Sequence, residues 1–165
     1  MADEEGAKKF FALGSQARKA GDDAGACEHF AQGLKACSSV ELKSAFLVSR
    51  SGALVGLGRM AEALVDAEEC QKLRPSWARS FECKAAALDG LGRTEEAAVS
   101  RRLAAALAAL KQDPKNEVAQ SFLAADSAAR GDAFVATKAK AAATPLQGLP
   151  RFVGIMLIQS CSSRL

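Results

Sequence analysis

Leu57-Gly58-Arg59-Met60-Ala61-Glu62-Ala63 recurs further along the chain as Leu91-Gly92-Arg93-Thr94-Glu95-Glu96-Ala97. The two glycines are 34 positions apart, and a fixed period of this size is typical of proteins built by repeating one supersecondary unit. A weaker copy, Ala20-Gly21-Asp22 followed by Ala26, lies one period earlier with three extra residues in between. Because a glycine just past a helix end adopts a positive φ without steric penalty, each stretch predicts a turn between two helices.

Small residues recur at equivalent places of the three units, and a large side chain accompanies them. Small residues let two helices approach closely, while the large side chain fills the space to a neighbouring helix. The small columns are Gly14/Ser51/Ala85, Ala26/Ala63/Ala97 and Gly33/Cys70/Ala104, and the large column is Phe10/Leu47/Phe81. A generic Ala-rich bundle is the alternative, but the matched columns and the repeated turn favour antiparallel helix pairs.

Composition supports an all-α protein without cofactor or nucleic acid. The 165 residues suffice for one domain with a core, and apolar residues make up 49% of them. Aromatic residues amount to 5%, and a net charge of +3 is too balanced for a nucleic-acid binder. Five cysteines without a C-x-x-C pair, and a single histidine, His29, predict reduced thiols and no metal site.

The repeat also predicts how the chain is organised. We expect the three residues Glu41, Leu42 and Lys43 in the loop between the first two units, and a second helix about one turn longer in the third unit. The predicted segments are an N-terminal extension 1–6, repeats 7–40, 44–77 and 78–111, a capping helix 115–130, and a linker with tail 131–165.

The two chain ends bear on location. The N-terminus is acidic and lacks an apolar signal region, and no apolar run is long enough for a membrane span, so we expect a cytoplasmic protein. The C-terminal Ser163-Arg164-Leu165 is similar to a Ser-Lys-Leu peroxisomal address, which makes the peroxisome the alternative. The run Phe152–Ile158 is open to interpretation as a strand, a docked segment or an aggregation-prone stretch, and an aberrant splice or a truncated gene model would also produce such a tail.

Two further stretches carry a family resemblance. Arg74-Pro75-Ser76-Trp77-Ala78-Arg79-Ser80-Phe81, followed by Lys84–Leu88, and Val48–Ala53 resemble repeats of the N-terminal tetratricopeptide (TPR) domain of the Hsp-organising, or stress-inducible, co-chaperones. The resemblance covers about residues 7–130. It implies an all-α fold, a right-handed superhelical stack of three TPR hairpins with a capping helix, and a concave groove that binds the C-terminal Glu-Glu-Val-Asp peptide of cytosolic heat-shock chaperones.

In that family two Lys, one Arg and two Asn hold the peptide carboxylates through charge-assisted hydrogen bonds. The resemblance places these five positions at Phe11, Ser15, Ser49, Arg79 and Cys83, so one cation of three is kept. Each lost charged hydrogen bond should weaken binding by about 1.5–3 kcal/mol unless neighbours compensate. The full set of predicted peptide-binding groove residues is Lys8, Phe11, Ser15, Arg18, Lys19, Ser49, Gly52, Arg79 and Cys83.

Several of these residues have a second interpretation. Lys8, Arg18 and Lys19 are candidates to replace the lost cations, or they form a solvated helix face. Phe11 could contact an apolar side chain of the ligand or pack in the core. The equivalent residues Arg50 and Lys84 are predicted to support the stack outside the groove.

These features predict a monomeric, co-chaperone-like adaptor for protein or peptide partners, namely a heat-shock chaperone tail or another extended peptide. The alternative is a TPR scaffold for an unrelated partner, with a carboxylate clamp that does not function. We expect no enzyme, because no nucleophile–base pairing or phosphate-binding loop is visible in the sequence.

Overall fold

A computed structural model describes the backbone of residues 4–130 and the side chains of residues 4–126. Within this range the secondary structure is helical and contains no strand, which confirms the all-α prediction. The helices are α1 (Glu4–Lys19), α2 (Asp23–Ala36), α3 (Val40–Gly56), α4 (Met60–Leu73), α5 (Ala78–Gly90), α6 (Thr94–Gln112) and α7 (Glu117–Arg130). The predicted tail, with its apolar run and C-terminal tripeptide, lies outside the described residues.

The repeated glycines end the first helix of each pair as predicted. Gly21, Gly58 and Gly92 have φ angles of 82°, 74° and 75°. At the second turn the Gly58 N–H donates to the Val55 carbonyl at 3.0 Å, and the next N–H donates to the Leu54 carbonyl at 2.9 Å. This is the Schellman arrangement, and the same two bonds recur at the other glycines.

The small-residue columns are the seams between helices. Every residue of the three predicted small columns is buried. Of the predicted large column, Leu47 and Phe81 are buried and Phe10 packs partly buried against the first core cluster. Small side chains let two helix axes approach closely, so the small columns determine how closely consecutive helices pack.

The stack has two unlike sides. Consecutive helices pack against one another, and the first helices of neighbouring hairpins also touch, α1 with α3 and α3 with α5. In the described part of the chain the second helices α2, α4 and α6 make no such contacts with each other. The first helices therefore lie on the inner side of the stack, and its right-handed twist stays a prediction.

The last helix packs on the end of the third pair. Ala119 and Leu123 of α7 join a buried cluster with Leu103 and Phe81. The side chain of Asn116 accepts a hydrogen bond from the Ala119 N–H at 3.0 Å, which caps the start of α7. Among residues 4–130, no helix combines the length and hydrophobicity that crossing a bilayer requires.

Two expectations about helix length have different outcomes. Glu41, Leu42 and Lys43 were expected in a loop, but they form the first turn of the 17-residue α3. The cause is Ser39, whose side chain accepts a hydrogen bond from the Leu42 N–H and so starts the helix early. The longer second helix of the third unit is confirmed, since α6 has 19 residues and α2 and α4 have 14 each. The boundaries of the repeat units themselves remain a prediction.

Candidate functional site: a groove along the first helices

A groove of about 450 Å³ runs along the inner side of the stack. Six of the nine residues that the sequence predicts for the site line it. Four further lining residues were not predicted. The lining consists of Phe11, Ser15, Arg18, Lys19, Phe30, Ala45, Val48, Ser49, Trp77 and Arg79.

An aromatic cluster forms the floor at the α1 end of the groove. The ring of Phe11 lies 5.8 Å from that of Phe30 and 5.3 Å from that of Phe46, measured between centroids. Phe30 and Phe46 are fully buried, whereas Phe11 is only partly buried and lines the groove. Phe11 therefore packs in the core, as one of the two interpretations expected, and also lines the groove, while its contact with a ligand stays a prediction.

Cations surround this floor. Arg18 and Lys19 reach the groove from the last turn of α1, and Arg79 reaches it from the first turn of α5. No carboxylate is present among the described residues that line the groove. Asp23, outside the lining, pairs with Arg18 at 3.5 Å, but the groove still carries net positive charge. Because a positively charged cleft attracts ligands of the opposite sign, the groove favours an acidic ligand.

The remaining three predicted residues, Cys83, Gly52 and Lys8, are not part of the groove lining. Cys83 is partly buried on α5 and donates its thiol to the Val48 carbonyl at 3.8 Å. Burial raises the pKa of this thiol, against smaller opposing effects of Arg79 and Arg18, so the side chain is neutral at pH 7. Gly52 lies under the guanidinium of Arg18, and Lys8 is exposed on α1.

Two cations that the sequence assigns to structural support do connect helices. Arg50 of α3 donates to both carboxylate oxygens of Asp66 on α4, at 2.7 and 2.5 Å. These hydrogen bonds to Asp66 are the main cause of a raised pKa at Arg50. Lys84 of α5 contacts Glu68 of α4 at 2.9 Å. Both pairs hold consecutive helices together away from the groove lining.

Trp77 is the groove residue for which the sequence offered the clearest unused signal. It is the only tryptophan of the chain and stands in the stretch that carries the family resemblance. The Arg74 guanidinium lies 4.6 Å from the centroid of its ring, which fixes the indole at the start of α5. Val48 also stands in a stretch that carries the resemblance, but it is an ordinary apolar residue, as are Phe30 and Ala45, and only tertiary packing brings these three to the groove.

Comparison with known proteins places the chain beside co-chaperones. No family model matches the chain. A Triticum aestivum protein named Hsp70-Hsp90 organizing protein is 34% identical over 124 residues, which are 75% of this chain and 19% of that protein. A Dictyostelium discoideum protein named STIP1 homolog is 37% identical over 75 residues, or 46% of this chain and 12% of that protein. The chain thus spans about a fifth or less of the length of these curated relatives.

Proposed function

Because the described helices form a TPR-type domain related to the Hsp-organising co-chaperones, we propose that the chain is a co-chaperone-like adaptor for protein partners. Its groove along the first helices binds an extended acidic peptide. The first candidate ligand is the C-terminal tail of a heat-shock chaperone, and the proposed location is the cytoplasm. The names of the two relatives support this partner class, although the match covers a small part of each relative.

The observation that carries this proposal is the chemistry of the groove. Three cations stand around an apolar floor, and the described lining contains no acidic residue. Charge-assisted hydrogen bonds from Arg to a carboxylate are among the stronger polar contacts in proteins. The hydroxyls of Ser15 and Ser49, which also line the groove, can add neutral hydrogen bonds to the same ligand.

A second candidate function is a scaffold for a partner that is not recognised by a terminal carboxylate. Phe11 and Cys83 favour it, because they occupy clamp positions where the resemblance expects cations. The Phe11 ring is packed against Phe30 and Phe46, and the Cys83 thiol is neutral. In this case the apolar floor would contact the partner, and the surrounding cations would only steer it.

A titration with the full chain separates the two candidates. The probe is fluorescein-labelled Gly-Glu-Glu-Val-Asp, and its binding is followed by fluorescence polarisation beside that of the C-terminally amidated peptide. We expect saturable binding that weakens on amidation and with added salt. Equal binding of both peptides would favour the scaffold, and absence of binding to either would contradict the proposed ligand.

Arg79→Ala is the variant that tests the groove as the site. We expect a loss of affinity of about tenfold or more, because one charged hydrogen bond is removed. Lys35→Ala is the matched control, since Lys35 is an exposed cation on α2 outside the groove lining. An equal effect of both substitutions would place the binding surface elsewhere.

A further inference from the structure

Arg18 crosses from its own helix onto the face of α3. A methyl group added at Gly52 would lie 2.8 Å from Nη1 of Arg18 and 3.5 Å from Nη2. The first distance is shorter than ordinary van der Waals contact, so a side chain at residue 52 would displace the guanidinium. Because Gly52 has no side chain, the Arg18 guanidinium can occupy the space above it.

An acidic residue lies beside the guanidinium in this position. Asp23, in the first turn of α2, forms a salt bridge with Arg18, at 3.5 Å between Oδ1 and Nε. The same carboxylate lies over Gly56, where an added methyl group would be 2.1 Å from Oδ2. Residues 52 and 56 are one turn apart on the same face of α3. The ion pair thus lies along a strip of α3 that its two glycines leave open.

The guanidinium also lies near the place where the clamp lacks a cation. Burial is the main influence on the pKa of Cys83 and raises it, while the positive charges of Arg79 and Arg18 are among the influences that lower it. The Cys83 thiol also donates to the Val48 carbonyl at 3.8 Å, and Val48 lies one turn before Gly52 on the same face of α3. The guanidinium over Gly52 is therefore close to the α5 position where the resemblance expects an arginine. Arg18 also lines the groove together with Arg79.

We propose that Arg18, held across Gly52 by Asp23, replaces the cation missing at Cys83 and binds a carboxylate of an acidic peptide together with Arg79. This inference rests on the proposed function, and it names how that function survives the altered clamp. The salt bridge with Asp23 is made through Nε of Arg18. Nη1 and Nη2 can then donate to a ligand, which is the planar geometry suited to a carboxylate.

Gly52→Ala is the most specific test, because the substituted residue carries no charge and is not among the residues that line the groove. Alanine normally stabilises the interior of a helix relative to glycine, so a general loss of folding is not the expected cause of weaker binding. We expect the Gly-Glu-Glu-Val-Asp probe to bind about tenfold more weakly, with a melting temperature that is not lowered in proportion. Arg18→Gln should weaken binding by a similar factor.

The double variant shows whether glycine acts through arginine. If Gly52→Ala acts by displacing Arg18, the double variant should bind no more weakly than Arg18→Gln alone. Lys35→Gln serves as the charge-matched control and should leave binding unchanged. Additive losses, or wild-type binding by either single variant, would overturn the inference while the proposed function stands.

Two remaining arms complete the experiment. Absence of probe binding by the wild type would overturn both the inference and the proposed function. The amidated probe shows which carboxylate of the peptide Arg18 binds. If Arg18 binds the terminal carboxylate, Arg18→Gln should not weaken binding of the amidated peptide, which lacks that group. If Arg18 binds a side-chain carboxylate, both peptides should lose the same factor. Either pattern supports a carboxylate contact at Arg18.

Discussion

Glycines on the first two helices provide space for phenylalanine rings. Gly33 of α2 faces the ring of Phe46, where an added methyl group would lie 2.2 Å from Cζ. Gly14 of α1 faces the ring of Phe30 in the same way, at 2.5 Å from Cε1. Both rings belong to the cluster under the groove and are fully buried. The two glycines therefore position the floor of the groove, although neither lines it.

Gly33→Ala should destabilise the protein even though alanine is the better helix former. Overpacking a core costs about 1–3 kcal/mol, whereas the gain in helix propensity is at most about 1 kcal/mol. We expect a net loss of about 1–2 kcal/mol in the free energy of unfolding, measured by urea denaturation. Phe46→Leu should restore part of this loss in the Gly33→Ala background, and a purely additive pair would contradict the ring clash.

The buried thiol of Cys70 should make the stability of the protein depend on pH in the alkaline range. Its side chain is fully buried in the described structure, its thiol donates to the Ser44 carbonyl at 3.7 Å, and burial raises its pKa from 9.0 to about 11. Below pH 9 the thiol is neutral in both the folded and the unfolded chain. Between pH 9 and 11 the unfolded chain loses this proton while the folded chain keeps it, so rising pH favours unfolding.

We therefore expect the free energy of unfolding to fall by about 2 kcal/mol more in the wild type than in Cys70→Ala as the pH rises from 9 to 11. Alanine is a fitting replacement, because Ala104 occupies the equivalent place in the third unit. The measurement is urea denaturation at several pH values. Parallel curves for the two proteins would show that this thiol does not ionise on unfolding.

At the scale of the helix pair, we expect ion pairs to differ greatly in how much they stabilise the folded chain. The Asp66 side chain is 4% exposed and holds Arg50 across the second pair. Arg59 and Glu62, by contrast, are 52% and 58% exposed and pair within one turn. Removing one partner of a buried pair leaves the other charge without compensation, while solvent screens an exposed pair.

Asp66→Ala should lower the free energy of unfolding by about 2–3 kcal/mol, whereas Glu62→Ala should leave it almost unchanged, because solvent screens this exposed pair. The two substitutions remove the same charge from the same helix, so thermal or urea unfolding of the pair of variants isolates the effect of burial. Similar losses in both variants would contradict the structural role assigned to the Arg50–Asp66 pair.

The sequence predicts the hairpins well because their determinants are local. A glycine after the first helix and small residues at a fixed period indicate both the turn and the seam. The start of α3 was missed, since the capping hydrogen bond from the Leu42 N–H to Ser39 overrides the spacing of the repeat. The position of the Arg18 side chain could not be predicted from the sequence either, because it depends on two glycines of another helix.

At the scale of the whole molecule, the unequal sides of the stack explain why the groove forms on one surface. Within residues 4–130, first helices touch across neighbouring pairs, and second helices do not. Residues from α1, α3 and α5 consequently converge on one groove, although they are far apart in the chain. The net charge of the chain is only +3, so the concentration of cations in this groove is local and not a property of the whole surface.

The most direct test of a peptide-binding groove along the first helices is ¹H–¹⁵N NMR of the full chain during titration with Gly-Glu-Glu-Val-Asp. We predict the largest shift changes at Ser15, Ser49 and Arg79, and at the indole N–H of Trp77, which all line the groove. Residues on the outer faces of α2, α4 and α6 should change little. Shift changes confined to those second helices, or no changes at saturating peptide, would contradict a peptide-binding groove along the first helices.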